Sequence, residues 1–541
     1  MSDPAPPLLE IEGLSVRFPV GRGAWFSAVD DISFQIGRGE ALGLVGESGS
    51  GKTMAALAIP RIVPQPGRVE ARRIRLGGDE LTGISDRALR RIRGRRIGMI
   101  FQEPLSSLNP TMTIGAQVME TLEIHTAARG SEIQDRAREM LARVQLPDPG
   151  TAMRAYPHQL SGGMQQRAMI AMALACGPDL LIADEPTTAL DVTVQAEILD
   201  LIDEIRRASL MSVLFITHNL AVVSRVADRI AVMQEGRIVE TGPAASTIAD
   251  PQSDYGRKLL AAVPRLGAGR HPEKRAVTPD AANIISARGI SKSYGAAGGL
   301  FARGGRRTVL HPTDLDIRSG ETLALVGPSG CGKTTLARCL ARLVPADGGA
   351  VLIDGRPVES DTASIRNTLQ LVFQDPFGSL DPRWTVGAIL REPLVIARRG
   401  TSAEQDSDIA AALERVGLDP ESAARYPHQF SGGQRQRIAI ARALMLKPRL
   451  IVADEPVSAL DVSVQARILD LLTGLQAEYG LAMLLISHDI AIVERLADRI
   501  AVMQDGRIVE TGATDEVLSA PRSEAARRLI QAVPRLPERA A

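Results

Sequence analysis

Apolar and polar positions alternate near the start of the chain and then cease to alternate. Leu9, Ile11, Leu14, Val16 and Phe18, followed by Ile32, Phe34 and Ile36, fall largely at every second position, which predicts antiparallel strands with one buried face. Ala41 to Val45, Leu180 to Ala183 and Val213 to Ile216 are short runs, apolar on both faces, as expected of strands in a buried parallel sheet. Each run ends in polar residues, Gly46-Glu47-Ser48, Asp184-Glu185 and Thr217-His218, at the strand ends where such sheets bind ligands. Met112 to Val144 reads mainly as helix. Met164 to Ala175 reads as a second helix stopped by Gly177-Pro178, and Gln434 to Leu446 as its counterpart stopped by Lys447-Pro448.

The whole pattern occurs twice. Arg229 to Gly242 returns as Arg499 to Gly512 with Glu235 replaced by Asp505, and Tyr156-Pro157-His158-Gln159 returns as Tyr426-Pro427-His428-Gln429. The copies are offset by about 270 residues, so the chain is a tandem repeat. Pro264 to Asp280, rich in Gly, Pro, Arg and Ala without apolar periodicity, reads as a flexible linker. We therefore expect a first domain over 1–264, a linker over 265–283 and a second domain over 284–541, both α/β with a parallel sheet core and an N-terminal antiparallel part.

The chemistry-bearing residues also come in pairs. Gly46-Glu47-Ser48-Gly49-Ser50-Gly51-Lys52-Thr53 and Gly327-Pro328-Ser329-Gly330-Cys331-Gly332-Lys333-Thr334 each follow a strand-like run and precede a helix-forming stretch. That spacing aims consecutive backbone N–H groups at phosphate oxygens, with the helix N-terminus adding its dipole. Lys52 and Lys333 would reach the terminal phosphates, and Thr53 and Thr334 would offer hydroxyls to Mg²⁺. Asp184 and Asp454 end buried strands and suit Mg²⁺; their neighbours Glu185 and Glu455 suit a general base that polarises a water. His218 and His488 recur in one context and would donate to a γ-phosphate. His158 and His428 show no clear chemistry and read as loop or capping residues.

Composition narrows the partners. With 541 residues the chain can bury several cores, and 45% hydrophobic with 23% charged residues is ordinary for a soluble protein. Its 63 basic and 63 acidic residues balance, which weighs against DNA or RNA as primary ligand; the basic stretch Arg87 to Arg96 reads as a solvated helix face. Cys176, Cys331 and Cys339 fit neither a disulfide framework nor a metal motif, as expected in a reducing compartment. No run approaches the ~18–20 apolar residues that span a bilayer, and Met1-Ser2-Asp3-Pro4 opens no signal pattern, so we expect a protein of the cytosol or of the cytosolic face of a membrane. Cys331 stands where the first loop has Ser50, which leads us to expect alkylation to block the second loop selectively.

Together these residues resemble the ATP-binding cassette ATPases. Their Leu-Ser-Gly-Gly-Gln signature is similar to Leu160-Ser161-Gly162-Gly163-Met164 and Phe430-Ser431-Gly432-Gly433-Gln434, departing at Met164 and Phe430. Gln102 and Gln374 match the glutamine loops, Ala189-Leu190-Asp191 and Ala459-Leu460-Asp461 the loops named for their aspartate, and His218 and His488 the switch histidines; Phe18 and Tyr294 correspond to the aromatic that stacks on adenine. The resemblance implies two P-loop cassettes, each with a helical subdomain, that clamp two MgATP between them. Lys52 would then pair with Ser431, Lys333 with Ser161, and Gln102 and Gln374 would lie at the nucleotide and its Mg²⁺. Serine and glycine at a helix start form an anion site on physical grounds as well. Both copies keep every such residue, so two hydrolytic sites are expected.

Glu103 to Pro110, Asp375 to Pro382, and the tails Tyr255 to Pro264 and Ala526 to Pro534 look like the ATPases of dipeptide, oligopeptide, nickel and glutathione importers. That likeness implies two separate transmembrane permease subunits, an extracytoplasmic solute-binding protein, and a place at the cytoplasmic face of the plasma membrane. No iron–sulfur cluster is expected, since neither tail carries a cysteine cluster. The alternative is a soluble twin-cassette ATPase acting on ribosomes or nucleic acid, although such proteins carry a long charged helical linker; a fused sugar-importer ATPase, which usually has one degraded site, is a third.

Overall fold

A computed structural model describes residues 6–21, 23–187, 190–267, 269–271, 281–295, 307–358, 362–458 and 460–533. Each half contains one antiparallel and one mainly parallel sheet. In the first half, Leu9–Pro19 pairs antiparallel with Trp25–Ile36 on one side and with Arg73–Leu76 on the other. The second half repeats this with Asn283–Tyr294 between Arg307–Arg318 and Gly348–Ile353. The six-stranded sheet runs Arg237–Pro243, Arg229–Gln234, Ala41–Val45, Ser212–Thr217, Leu180–Asp184, Ile97–Ile100, with only the first of these antiparallel to its neighbour. Its counterpart has the equivalent order, from Arg507–Ala513 to Leu369–Val372.

The runs that are apolar on both faces are the inner strands. Every residue of Ala41–Val45, Leu180–Asp184 and Ser212–Thr217 is buried. Fully burying one Leu or Ile side chain contributes about 1.5–3 kcal/mol, which far outweighs the cost of one polar residue at each strand end. Those polar residues are thereby carried to one edge of the sheet. The predicted helix from Met112 to Val144 is two helices, Ile114–His125 and Ser131–Arg143. The first ends where Thr126 turns extended, and Gly130, with φ 59°, leads into the second, a backbone angle that glycine adopts at little cost. The signature residues start the helices Gly162–Leu174 and Gly432–Leu444.

The halves meet head to tail. Asp254–Ala262 packs on Val462–Tyr479 of the other half, and Glu524–Ala532 packs on Val192–Ser209. Val462 belongs to the first half's apolar core. The linker's described residues, expected to be a free tether, are bonded to the second half. Gly267 donates its N–H to Glu494 at 2.7 Å, His271 donates its N–H to the Arg495 carbonyl at 3.0 Å, and Arg270 donates to Asp498 at 2.5 Å. The rest of that linker, residues 268 and 272–280, lies outside the described residues.

Arg270 fills a chemical gap between the copies. In the first half, buried Arg206 donates to Asp228 at 2.8 Å and to the Gly39 carbonyl at 2.7 Å. The second half has Gln476 there, which reaches the equivalent carbonyl of Gly320 at 2.9 Å but carries no charge for Asp498. The linker supplies that charge. Arg206→Ala should lower the stability of the full chain by about 1–3 kcal/mol, because it strips a carbonyl and a carboxylate at once. Arg270→Ala should cost no more than about 1 kcal/mol, because Arg270 is more exposed than Arg206 and Asp498 keeps the Thr322 N–H at 2.7 Å; urea melts compare the two, and a larger loss for Arg270→Ala would show the linker contact to be the stronger. Among the described residues, no helix is long and apolar enough to cross a membrane.

Candidate functional site

The two glycine-rich loops fold alike. A Cβ on Gly46 would lie 2.2 Å from the Met233 carbonyl oxygen, and one on Gly327 would lie 2.2 Å from that of Met503. Only glycine lets the loop pass that close. Lys52 is buried, and its Nζ donates to the carbonyls of Gly46 at 2.8 Å and Glu47 at 2.7 Å and to Ser50 Oγ at 3.3 Å. Lys333 donates to Gly327 at 2.8 Å and Pro328 at 3.0 Å. Burial lowers the Lys52 pKa, against the raising influence of Glu185, Asp461 and Asp184.

Cys331 takes the place of Ser50 and is 5% exposed. Burial pushes its thiol pKa up, and the thiolate is the reactive form. The expectation that alkylation would block this loop selectively is therefore withdrawn: the sulfur is both covered and protonated.

Beside each loop stands an oxygen pair. Thr53 Oγ1 donates to Asp184 at 3.2 Å, and Thr334 Oγ1 donates to Asp454 at 3.3 Å. Burial pushes Asp184 up to about 6 and also raises Asp454. A carboxyl raised in the folded state stabilises the ligand-free fold below its unfolded value and loses that contribution as pH rises through about 6. Above that pH the bare carboxylate is the form that suits a hard cation. A hydroxyl and one carboxylate are a sparse donor set, of the kind Mg²⁺ completes with phosphate oxygens and water. Among the described residues no group of three or more His, Cys, Asp or Glu side chains could hold a metal by itself.

Glu185 and Glu455 follow immediately and have φ of 46° and 48°, a left-handed conformation costing an L-residue roughly 1–2 kcal/mol. Each is held there on three sides. The Glu185 N–H donates to the Ile216 carbonyl at 2.9 Å, Gln102 Nε2 donates to Glu185 Oε2 at 2.9 Å, and His218 Nδ1 shares a hydrogen bond with Glu185 Oε1 at 2.9 Å. Glu455 repeats the set with Ile486 at 2.9 Å, Gln374 at 2.7 Å and His488 at 3.3 Å. Burial is the largest single influence on Glu455 and works to raise it, but the bond and charge of His488 together with Lys333 and Ser458 outweigh it, so its pKa is lowered; for His488 the bond and charge of Glu455 together with Asp489 likewise raise the pKa against burial. Gln102 and Gln374, expected at the nucleotide and its Mg²⁺, donate here to the glutamates.

Ser161 Oγ accepts the N–H of Met164 at 3.4 Å, capping the signature helix. Ser431 does the same for Gln434 at 3.3 Å, and Gln434 returns a bond by accepting the Ser431 N–H at 3.0 Å. Met164 has no amide for that return. Gly163 and Gly433 face Val194 and Val464, where a Cβ would come within 2.8 Å and 2.3 Å of a methyl. Phe18 is half-buried against the apolar cluster of Leu14, Val16 and Ile32 in the first half's antiparallel part, and Tyr294 is 43% exposed with Lys292 Nζ 5.6 Å above its ring. His158 and His428 stack on Tyr156 and Tyr426 at 5.8 Å each, in keeping with loop residues.

Across the seam the loops find partners from the other half. Ser48 donates its N–H to Asp461 Oδ1 at 2.5 Å, and Ser329 donates to Asp191 Oδ2 at 3.1 Å. Both aspartates end the resembling triplets Ala189-Leu190-Asp191 and Ala459-Leu460-Asp461, of which Ala189 and Ala459 lie outside the described residues. Asp191 and Asp461 were not among the site residues expected from the sequence, and neither was Tyr255, whose hydroxyl accepts the Glu47 N–H at 2.9 Å. The resemblance marks the two aspartates as loop residues without giving their partners, since nothing local tells an aspartate that caps its own helix from one that reaches another domain. A seam cavity of about 130 Å³ is lined by His218 and Asn219 from one half and by Glu455, His488 and Asp489 from the other.

Residues 29–188 and 310–458 match the family described as ABC transporter. The chain is 47% identical over 537 residues to the peptidoglycan transport ATP-binding protein YejF of Agrobacterium fabrum, covering 97% of this chain and 96% of that protein. It is 46% identical to the glutathione import ATP-binding protein GsiA of Salmonella paratyphi A and 44% identical to that of Escherichia coli O157:H7, in each case over 97% of this chain and 89% of the relative. With both loops, both strand-end carboxylate pairs and a full-length match to twin proteins, the chain belongs to the ABC transporter family as an ATPase with two ATP-binding cassettes.

Proposed function

We propose that the chain powers import of a small solute of the peptide class, as its relatives' names suggest, by hydrolysing ATP at two composite sites. The observation that carries this reading is the reciprocal pair of bonds Ser48–Asp461 and Ser329–Asp191. They bring each phosphate loop to the opposite cassette, as sharing a nucleotide requires. In this reading the first site combines Lys52, Thr53, Asp184 and Glu185 with Ser431, Gly432 and Gly433, and the second combines Lys333, Thr334, Asp454 and Glu455 with Ser161, Gly162 and Gly163.

Within each site the residues divide the work. The loop N–H groups and the lysine bind the β- and γ-phosphates, and the signature serine and glycines close on the γ-phosphate from the other side. Mg²⁺, when bound through Thr53 and Asp184 or Thr334 and Asp454, supplies charge neutralisation to the phosphates. Glu185 and Glu455 hold the attacking water and take its proton. Their placement by a glutamine and a histidine aims the carboxylate, and the same histidine in its protonated form, with Nδ1–H on the carboxylate, donates from Nε2 toward charge developing on the γ-phosphate. Phe18 and Tyr294 are the candidates to contact adenine. Closing the seam around ATP and releasing it after hydrolysis gives a motion that two separate permease subunits could follow, with a solute-binding protein delivering cargo outside and the ATPase at the cytoplasmic face. The names "import" and "transport" borne by the relatives support that assignment.

Glu185→Gln combined with Glu455→Gln should leave ATP bound and the seam closed while turnover falls at least ~10²-fold; near-normal phosphate release would refute the catalytic assignment. Protonation of Asp184 below about 6 should compete with Mg²⁺, so the Mg²⁺ concentration for half-maximal turnover should rise as pH falls from 7 to 5.5. A flat Mg²⁺ requirement over that range would separate Asp184 from the metal. ATPase activity should increase when the permeases and binding protein are reconstituted with the chain, whereas stimulation by ribosomes or DNA instead would replace transport with the alternative reading.

A further inference from the structure

Two differences between the copies fall on one contact. Glu47 and Pro328 occupy the second position of the phosphate loops, and Tyr255 and Ala525 occupy the second position of the tail helices Asp254–Ala262 and Glu524–Ala532. The fold brings the first pair together across 208 positions of sequence, with the Glu47 N–H donating to Tyr255 Oη at 2.9 Å. In the second copy both halves of that bond are chemically missing. Pro328 has no N–H, and Ala525 has no hydroxyl.

The tail helices are seated alike, so the difference does not come from their placement. Ser253 caps one by accepting the Gly256 N–H at 2.9 Å, and Ser523 caps the other by accepting the Ala526 N–H at 3.1 Å. Glu240 accepts the Ser253 hydroxyl at 2.6 Å, and Glu510 accepts the Ser523 hydroxyl at 2.6 Å. What changes between the copies is how one position of the phosphate loop is satisfied. A proline removes the donor and fixes φ; a glutamate keeps the donor and needs an acceptor.

The acceptor rides on the seam. The helix carrying Tyr255 packs on Val462–Tyr479 of the other cassette, and Asp461, at the head of that same partner helix, takes the next loop N–H, that of Ser48, at 2.5 Å. Of two consecutive donors of the first loop, one is therefore held by the other half and the next by a helix seated both in its own half's core and against the other half. The second loop has one such link, Ser329 to Asp191 at 3.1 Å.

We propose that Tyr255 is a positioning residue for the first ATP site, tying the loop of Lys52 to the docked seam, and that the two ATP sites are unequal for this reason. The proposal rests on the reading of the Lys52 loop as an ATP site. Without the tyrosine hydroxyl, the Glu47 N–H must find water or a neighbouring carbonyl, and the loop loses order before phosphate arrives. The loop of Lys333 has its order built in through the Pro328 ring. Nucleotide at the first site is thus sensitive to the tail, and nucleotide at the second is not.

The test uses the full chain with one site disabled at a time, titrated with a fluorescent ATP analogue in the presence of Mg²⁺. In a Lys333→Ala background, where only the first site loads, Tyr255→Phe should weaken binding about 3- to 10-fold, the loss expected for one orphaned donor. In a Lys52→Ala background the same change should leave binding within about twofold. Adding Glu47→Pro to Tyr255→Phe should restore most of the affinity, because it rebuilds the arrangement of the second loop. Unchanged binding in the Lys333→Ala background, equal weakening in both backgrounds, or no recovery with Glu47→Pro would each overturn the proposal. A Lys52→Ala, Lys333→Ala double variant that still binds the analogue normally would instead overturn the ATP-site reading on which it rests.

Discussion

A peptide N–H at the rim of a phosphate loop has no place in the regular bonding of its own sheet, and a carboxylate at the head of a helix has an oxygen to spare. Ser48 with Asp461, and Ser329 with Asp191, join these two unsatisfied ends across the seam. Hydrogen bonds to a charged group contribute roughly 1.5–3 kcal/mol each, and the repeat supplies two. Loop and seam therefore cannot rearrange independently. Whatever enters one loop meets a carboxylate fixed to the other cassette, and whatever parts the cassettes strips a partner from both loops.

The same constraint explains where the two copies are free to differ. Equivalent positions need an equivalent bonding outcome, but not the same residue. Arg206 serves both Asp228 and the Gly39 carbonyl in the first cassette; Gln476 serves the carbonyl alone in the second, and Arg270 from the linker serves Asp498. Ser50 gives Lys52 a hydroxyl partner where the second loop has a buried thiol. Gln434 completes the cap of its signature helix where Met164 leaves only the serine bond. Each substitution changes the charge or donors available while keeping the bonding outcome, and the exchange of Ser50 for Cys331 does so within the phosphate loop itself.

Strain at the strand ends follows the same logic. Glu185 and Glu455 sit in a conformation that disfavours any side chain with a Cβ, and they are kept there by a backbone bond, a glutamine and a histidine. Holding the carboxylate by both oxygens fixes its direction more firmly than a relaxed strand end would. The histidine gains in turn, since the carboxylate favours the protonated ring in the second cassette.

Fold class, strand runs, loop glycines and strand-end carboxylates were legible in the amino-acid order, because period-two alternation, continuous apolar runs and glycine-rich spacing are local consequences of local sterics and burial; the signature serines were singled out only by the family resemblance. Readings that needed a partner from elsewhere fared worse. The stretch Arg87 to Arg96 reads as a solvated face, yet Arg93 donates to the carbonyls of Pro60 at 2.7 Å and Arg61 at 3.0 Å, and Arg96 donates to Asp179 at 2.7 Å. The linker reads as a free tether, yet its Arg270 completes an ion pair in the second cassette. Asp461 and Asp191 stand out in the chain through the family resemblance, and Tyr255 only as part of a resembling tail; the docking of two distant segments is what turns all three toward the phosphate loops. The sequence alone determined which groups could bind phosphate; the tertiary structure decided which donor each acceptor meets, because a hydrogen bond between residues 208 or 413 positions apart depends on packing that no local pattern encodes.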